Sequence, residues 1–493
     1  METLRQKTVS GAGWSFLGNI TSQIVRFVIG IVLARMLLPG DYGLVGMLAI
    51  FISVGDALVE SGFSQALIQK KDASNEDYST VFFINFFIAC LIFLLLCLTA
   101  PLIAKFYNEE QLNHLVIVLS IGIIIRSFTI IQATRFTKNL LFRELAIINV
   151  ISTLISGLVS LPMALKGYGV WSLVGLSLSK DFTYSVLLWI RSEWKPSFLF
   201  KRDSAKNLFG FGSRILGVGL LDNFFLHINK LIIGKFFTAA DLGFYTRAYG
   251  YRDMISKNIL NITSSLAFPS FSSIQNDFNK VRTNYKKASE LVTFISVPLL
   301  ALMAFLAEPL IRILITDKWL PAVPYLQILC IAGIFYPVSG IQISILKALG
   351  KANEYLILNV IQKVFIIIGI VIGIKWGVIG LVYAQVFSMA IVYALGIYYM
   401  KKFLKLNYRE QIIDFFKYTL LVILIFGTMY KITNYITTND LALIIIQSFV
   451  DISVYFFISF YLKYNGAIEI VTIFKENFLP RLLSREAKNG MHN

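Results

Sequence analysis

The chain has 493 residues, of which 57% are hydrophobic and only 15% are charged, and its mean hydropathy is +0.71. These values exclude an ordinary soluble enzyme and are typical of a protein with many membrane spans. The net charge of +17 does not indicate nucleic acid here, because most Lys and Arg residues lie in short loops, where they specify membrane topology.

Fourteen apolar segments follow one another along the chain. A hydrocarbon core about 30 Å thick needs roughly 20 apolar residues per helix, and each segment meets that length. The seventh and eighth segments are rich in polar residues. We therefore predict an all-α polytopic membrane protein with about fourteen transmembrane helices, at residues 14–36, 42–65, 79–104, 112–134, 144–166, 169–190, 207–234, 242–268, 288–312, 323–346, 354–374, 377–399, 411–430 and 441–462.

The basic residues orient these helices. With the N-terminus in the cytoplasm, the inside segments carry 27 Lys and Arg residues and the outside loops carry 6. This asymmetry predicts cytoplasmic N- and C-termini. The first apolar stretch is too long for a signal-peptide core and no Ala-x-Ala-like site follows it, so we expect it to remain as a helix.

The two halves of the chain resemble each other. Residues 41–43 (DYG) match residues 241–243 (DLG) at an offset of 200, and three further matches follow in the same order at offsets of 208 to 210. The repeat is six helices long, so both copies have the same orientation, although chance similarity between apolar segments is the alternative. It predicts two six-helix lobes related by a parallel repeat, with a site at their interface. The expected divisions are 1–200 (N-lobe), 201–405 (C-lobe), 406–465 (two C-terminal helices) and 466–493 (cytoplasmic tail).

Sequence motifs for catalysis are missing. The chain has no phosphate-binding Gly-x-x-x-x-Gly-Lys-Ser/Thr loop, no Asp-x-Asp and no long outside loop. The three Cys residues lie in apolar segments, which argues against disulfides, and the three His residues lack metal-ligand spacing. We therefore expect a transporter rather than an enzyme, with no cofactor, metal or catalytic residue.

Cations recur inside the predicted spans. Arg26 sits near the middle of the first span, where a charge costs roughly 2.5–3.5 kcal/mol on insertion scales. A chain that accepts this cost repeatedly is expected to hold an anion within the membrane. The predicted substrate-binding residues are Arg26, Arg214, Lys230, Arg247 and Arg252, together with Arg126, Lys180 and Lys363.

Helical spacing places polar side chains on shared faces. On the first helix, Ser15, Asn19, Ser22 and Arg26 share one face, which we expect to line an aqueous cavity. Intramembrane charges can instead form structural pairs, and this alternative stays open. The carboxylates predicted as ion-coupling groups, or simply as counter-charges, are Asp56, Glu60, Asp222 and Asp253.

Several stretches resemble a known family. Residues 34–46 (ARMLLPGDYGLVG) and 62–70 (GFSQALIQK) are similar to the start of polysaccharide-export flippases, as are 232–235 (IIGK), 242–245 (LGFY) and 268–269 (FP). These proteins form the lipopolysaccharide and teichuronic acid export branch of the multidrug/oligosaccharidyl-lipid/polysaccharide superfamily. The resemblance covers about residues 1–400. Family members often carry an acidic residue where this chain has Asn229, before Lys230.

The resemblance implies a fold and a cargo. The fold would be two six-helix lobes around a central cationic cavity, with two extra helices. The cargo would be a glycan on polyprenyl pyrophosphate, moved across the bacterial inner membrane by alternating access for O-antigen, capsule or exopolysaccharide assembly. Its implied partners are membrane lipid and the polysaccharide polymerase machinery.

Two other functions remain open. A cation-coupled multidrug antiporter of the same superfamily should have a cavity dominated by carboxylates, whereas cations dominate here. A structural subunit that scaffolds glycan synthesis would have no use for an aqueous cavity.

Overall fold

The computed structural model describes residues 4–60, 62–70, 72–198, 202–436 and 439–477, with side chains except those of 4–10, 12, 202–215, 218, 266, 434, 436 and 473–477. These described residues form helices joined by short turns, and none of them is in a strand. The predicted all-α class is therefore confirmed. The chain divides into two compact units, Met1–Thr246 and Arg247–Asn493. The predicted boundaries of the lobes and tail stay predictions.

The first unit contains eight helices and the start of a ninth among its described residues. They are α1 (Leu4–Met36), α2 (Pro39–Glu60), α3 (Phe63–Gln69), α4 (Asn75–Tyr107), α5 (Gln111–Lys138), α6 (Phe142–Leu165), α7 (Trp171–Arg191), α8 (Arg202–Phe236) and α9 (Ala239–Ser273).

The second unit begins within α9. Its other described helices are α10 (Phe278–Phe305), α11 (Ala307–Ile315), α12 (Val323–Ala348), α13 (Ala352–Gly373), α14 (Gly377–Leu404), α15 (Tyr408–Ile436), α16 (Asp440–Tyr461), α17 (Asn465–Asn477) and the short 3₁₀ helices Asp317–Ala322 and Ile374–Trp376.

Each predicted span lies mainly on one long helix, but the bounds differ. The ninth span, predicted at 288–312, crosses the break at Leu306 between α10 and α11. Its helix begins at Phe278, because the Asp277 carboxylate accepts a hydrogen bond from the backbone N–H of Lys280 and caps a polar first turn. Hydropathy alone misses such a start.

Eleven stretches of the described residues are long and apolar enough to cross a membrane. The protein is therefore a multi-pass membrane protein. One of these stretches, Ala352–Leu404, holds two helices, α13 and α14, because Gly377 adopts a φ of 74° that a larger residue rarely accepts. The polar helices α8 and α9 are not among the eleven, and the number of fourteen crossings stays a prediction.

Equivalent helices of the internal repeat form the same packing pairs in both units. In the first unit, α4 packs against α5, and α7 packs against both α5 and α6. In the second unit, the equivalent α10 packs against α12, and α14 packs against both α12 and α13. The same three pairings therefore recur at the positions that the sequence offsets predict.

Two equivalent turns of the repeat meet inside the first unit. A Cβ atom added to Gly43 would lie 1.7 Å from the carbonyl oxygen of Ala239, and one added to Gly243 would lie 1.9 Å from that of Pro39. The backbones of the two turns are thus in direct, reciprocal contact. Each turn is closed in the same way, since the backbone N–H of Leu38 donates to Asp41 and that of Thr238 donates to Asp241.

Replacing Gly43 or Gly243 by alanine should destabilise the protein. No Cβ fits between these backbones, so overpacking should cost about 1–3 kcal/mol in each variant. Thermal unfolding in detergent should show a lower midpoint for both. Gly40→Ala is the matched control, because its Cβ would meet nothing within 4 Å. If all three variants melt together, the close contact of the turns is wrong.

Candidate functional site

A polar cavity of about 490 Å³ lies within the first unit. Four helices contribute to its wall, which is why polar residues distant in sequence face one space. Its lining residues are Ser15 and Asn19 of α1, Arg126 and Thr129 of α5, Phe142, Leu145, Ala146 and Asn149 of α6, and Lys180, Asp181 and Tyr184 of α7.

Arg126 joins three helices at this cavity. Its Nε donates to the Asp56 carboxylate of α2 at 2.8 Å, and its Nη1 donates to the Asp181 carboxylate of α7. Two carboxylates therefore oppose one guanidinium. Such charge-assisted bonds are roughly twice as strong as neutral ones, and they fix the relative positions of α2, α5 and α7.

Lys180 and Arg26 differ from Arg126 in their contacts with the described side chains. Among the described side chains, no carboxylate lies within ion-pair distance of either cation. The Nε of Arg26 instead donates to the carbonyl oxygen of Ser22, one turn earlier on α1, at 3.3 Å. Lys180 is near enough to Arg26 for the two charges to repel each other, and its neighbour Asp181, which attracts it, is bound to Arg126. An anion between them would relieve that repulsion.

The other predicted cations of the polar helices lie elsewhere. Lys230 is half-buried on α8. Arg214 belongs to the residues whose side chains are not described. On α9, Arg247 lies 5.8 Å from the ring centroid of Trp319.

Arg252 is the most enclosed of the predicted binding residues. It is 4% exposed, its Nη1 lies 3.2 Å from the Asp253 carboxylate, and its guanidinium lies 4.5 Å from the ring of Tyr249. Its side-chain stem packs against Gly333 of α12. These contacts favour a structural role for Arg252 within the second unit.

The predicted carboxylates also separate into two groups. Asp56 and Asp253 pair with arginines, which favours the counter-charge alternative for them. Glu60 and Asp222 are exposed on α2 and α8. Lys363, the remaining predicted cation, is half-buried on α13.

Asp181 is central to the site but is not among the predicted site residues, because the sequence suggested only a self-compensating pair of Asp181 with Lys180, whereas its carboxylate binds Arg126. Its position beside Lys180 in an otherwise apolar segment was the available signal. Among the described residues, no group of three His, Cys, Asp or Glu side chains could hold a metal ion.

Removing Arg126 should leave two carboxylates uncompensated. Arg126→Met should therefore lower the free energy of unfolding, by about 1–3 kcal/mol for these partly exposed groups. Thermal unfolding in detergent should show the loss, and adding Asp56→Asn and Asp181→Asn should restore the midpoint. Lys180→Met is the control, because it breaks no ion pair. Equal midpoints for Arg126→Met and Lys180→Met would contradict the bridging role of Arg126.

Comparison with known proteins identifies related sequences. Residues 32–324 match the family described as polysaccharide biosynthesis protein. The chain is 28% identical over 358 residues to the teichuronic acid biosynthesis protein TuaB of Bacillus subtilis, covering 72% of this chain and 74% of that protein. It is 25% identical over 424 residues to the lipopolysaccharide biosynthesis protein WzxC of Escherichia coli, covering 84% and 85%.

A solved structure shares the fold. The lipid II flippase MurJ in an inward closed conformation aligns with a TM-score of 0.74 and 16% sequence identity, covering 91% of this chain and 98% of that chain. At this identity the likeness shows a common arrangement of helices.

Proposed function

The chain belongs to the polysaccharide biosynthesis protein family, and from that membership we propose that it is a flippase for lipid-linked saccharides. Its relatives TuaB and WzxC are named for teichuronic acid and lipopolysaccharide biosynthesis. MurJ, which shares its fold, is a lipid II flippase. The proposed cargo is an oligosaccharide on polyprenyl pyrophosphate, carried across the bacterial inner membrane for surface polysaccharide assembly.

One observation carries this proposal: the cavity of the first unit, where Lys180 and the nearby Arg26 have no carboxylate partner among the described side chains. Cations in a membrane protein need a counter-charge or water. A pyrophosphate or an acidic sugar supplies the counter-charge, and the hydroxyl groups of the sugars match the polar wall of Ser15, Asn19 and Asn149.

The division of the cargo into polar and apolar parts suggests how it moves. The sugars and pyrophosphate are too polar to enter hydrocarbon, so they occupy the cavity. The polyprenyl chain can stay in the lipid throughout, because a hydrocarbon chain needs no shielding from the hydrocarbon core of the membrane. Alternating exposure of the cavity to the two membrane faces then completes transport.

The same cavity disfavours a pump for cationic drugs. Such a pump requires carboxylates free to bind its substrate, but Asp181, the one carboxylate among the residues that line this cavity, is bound to Arg126. Lys180 would repel a cationic drug.

Deleting the gene in its host should cause a lipid-linked glycan repeat unit to accumulate, with loss of surface polymer. Mass spectrometry of extracted lipids measures the first and polymer staining the second. Unchanged lipid-linked glycans together with normal polymer would contradict the flippase proposal.

Complementation tests the two cations. Lys180→Met and Arg26→Met should each slow export roughly tenfold or more, because a charge-assisted hydrogen bond contributes about 1.5–3 kcal/mol. Lys166→Met, which removes an exposed cation from the turn after α6, should restore export fully. Equal export by all three variants at matched expression would remove the role of the cavity cations.

A further inference from the structure

A second charged cavity lies within the second unit, at the N-terminal end of α10. Its volume is about 300 Å³, and α10, α15 and α17 provide most of its wall. The positive-inside distribution places this end of α10 on the cytoplasmic side. The charged residues of the wall are Arg282, Lys286, Lys287, Glu290, Glu410 and Glu469.

Five of these six charges already have partners. Lys286 pairs with Glu410 at 3.4 Å, and Lys287 pairs with Glu469 at 3.8 Å. The buried Glu290 is bound by Lys417 at 3.5 Å and accepts hydrogen bonds from Tyr418 and Asn465. That network also fastens α17 to α10 and α15.

Arg282 is the sixth charged residue of the wall, and it differs from the other five in its contacts. It is half-buried, and among the described side chains no carboxylate lies within ion-pair distance of it. The wall of the cavity holds three cations and three carboxylates, so its net charge is zero, and Arg282 is the cation of that wall that no described carboxylate contacts. A guanidinium held this way fits the two oxygens of a phosphate group.

An open groove of about 710 Å³ adjoins the cavity on the other side of α17. Phe457, Phe460 and Tyr461 of α16 face Val471 of α17 across it, and Ile468 lines both the groove and the cavity. Lys463 also lines the groove, so the cavity and the groove together carry one net positive charge. A cavity that holds an arginine without a carboxylate partner among the described side chains thus shares a wall with a mainly apolar groove. A ligand that fills both has an anionic head and a hydrocarbon tail.

We propose that this site binds an anionic phospholipid of the cytoplasmic leaflet, with its headgroup phosphate on Arg282 and an acyl chain in the groove. The depth fits, because a cationic pocket between helices at the cytoplasmic surface lies level with the lipid headgroups. The bound lipid would hold α17 against α10 and α16. This site is separate from the cavity of Lys180, so it stands whether or not the flippase proposal does.

Purified full-length protein in detergent tests the proposal. Phosphatidylglycerol should raise the thermal midpoint, whereas phosphatidylcholine and inorganic phosphate at equal concentration should not. Arg282→Gln should weaken phosphatidylglycerol binding about tenfold, which native mass spectrometry would record as the loss of one tightly bound lipid. Arg282→Lys should retain part of the binding because it keeps the charge.

Arg409→Gln is the matched control. Arg409 is an exposed arginine near the start of α15, lines neither cavity nor groove, and has the same charge. It should bind phosphatidylglycerol like the unaltered protein. Equal binding by the Arg282→Gln and Arg409→Gln variants would overturn the site, and an equal shift with inorganic phosphate would show a free-anion site rather than a lipid site.

Discussion

The cost of placing charge in hydrocarbon governs the arrangement of α2, α5 and α7. Arg126 can remain in a membrane segment because Asp56 and Asp181 meet it from two neighbouring helices. The same constraint acts on α9, where Arg252 is enclosed with Asp253. The pairs of Arg126 fix α5 and α7, two of the four helices that line the first cavity, relative to each other and to α2.

The cations without a described ion pair are the candidates for binding cargo. Lys180 and Arg26 lie near each other, and no described carboxylate is within ion-pair distance of either. The first unit therefore keeps positive charge in a segment where lipid offers no counter-charge. Binding an anionic cargo resolves this, and emptying the site restores the repulsion. Transport also requires release, so the affinity of the cavity for the cargo must fall when the cavity opens to the other side of the membrane.

The all-α fold with many membrane helices could be predicted because the length of an apolar segment is a local property of the sequence. The offset of 200 residues between the two Asp-x-Gly turns also pointed correctly to equivalent structures, which meet at Gly43 and Gly243. The partners of a charge could not be predicted in this way. Arg126 and Asp181 are 55 positions apart, and the periodicity of one helix does not reveal which helix faces it. For the same reason the burial of Arg252 beside Asp253 could not be predicted, and its role in substrate binding stays a prediction.

Membership in the polysaccharide biosynthesis family confirms the resemblance seen in residues 34–46 and 62–70. The ion pairs and the cavity of the first unit bear on the two alternative functions. A drug antiporter fits poorly with carboxylates bound to Arg126, and a scaffold subunit has no need of a polar cavity.

The most direct test is transport by the purified protein in liposomes. Polyprenyl-pyrophosphate oligosaccharide is placed in one leaflet, and its sugar is then detected in the other leaflet by a membrane-impermeant oxidant or lectin. The account predicts that the protein moves the sugar across and that removing the charge of Lys180 slows this movement. Liposomes with correctly folded protein that move no more glycan than empty liposomes would contradict it.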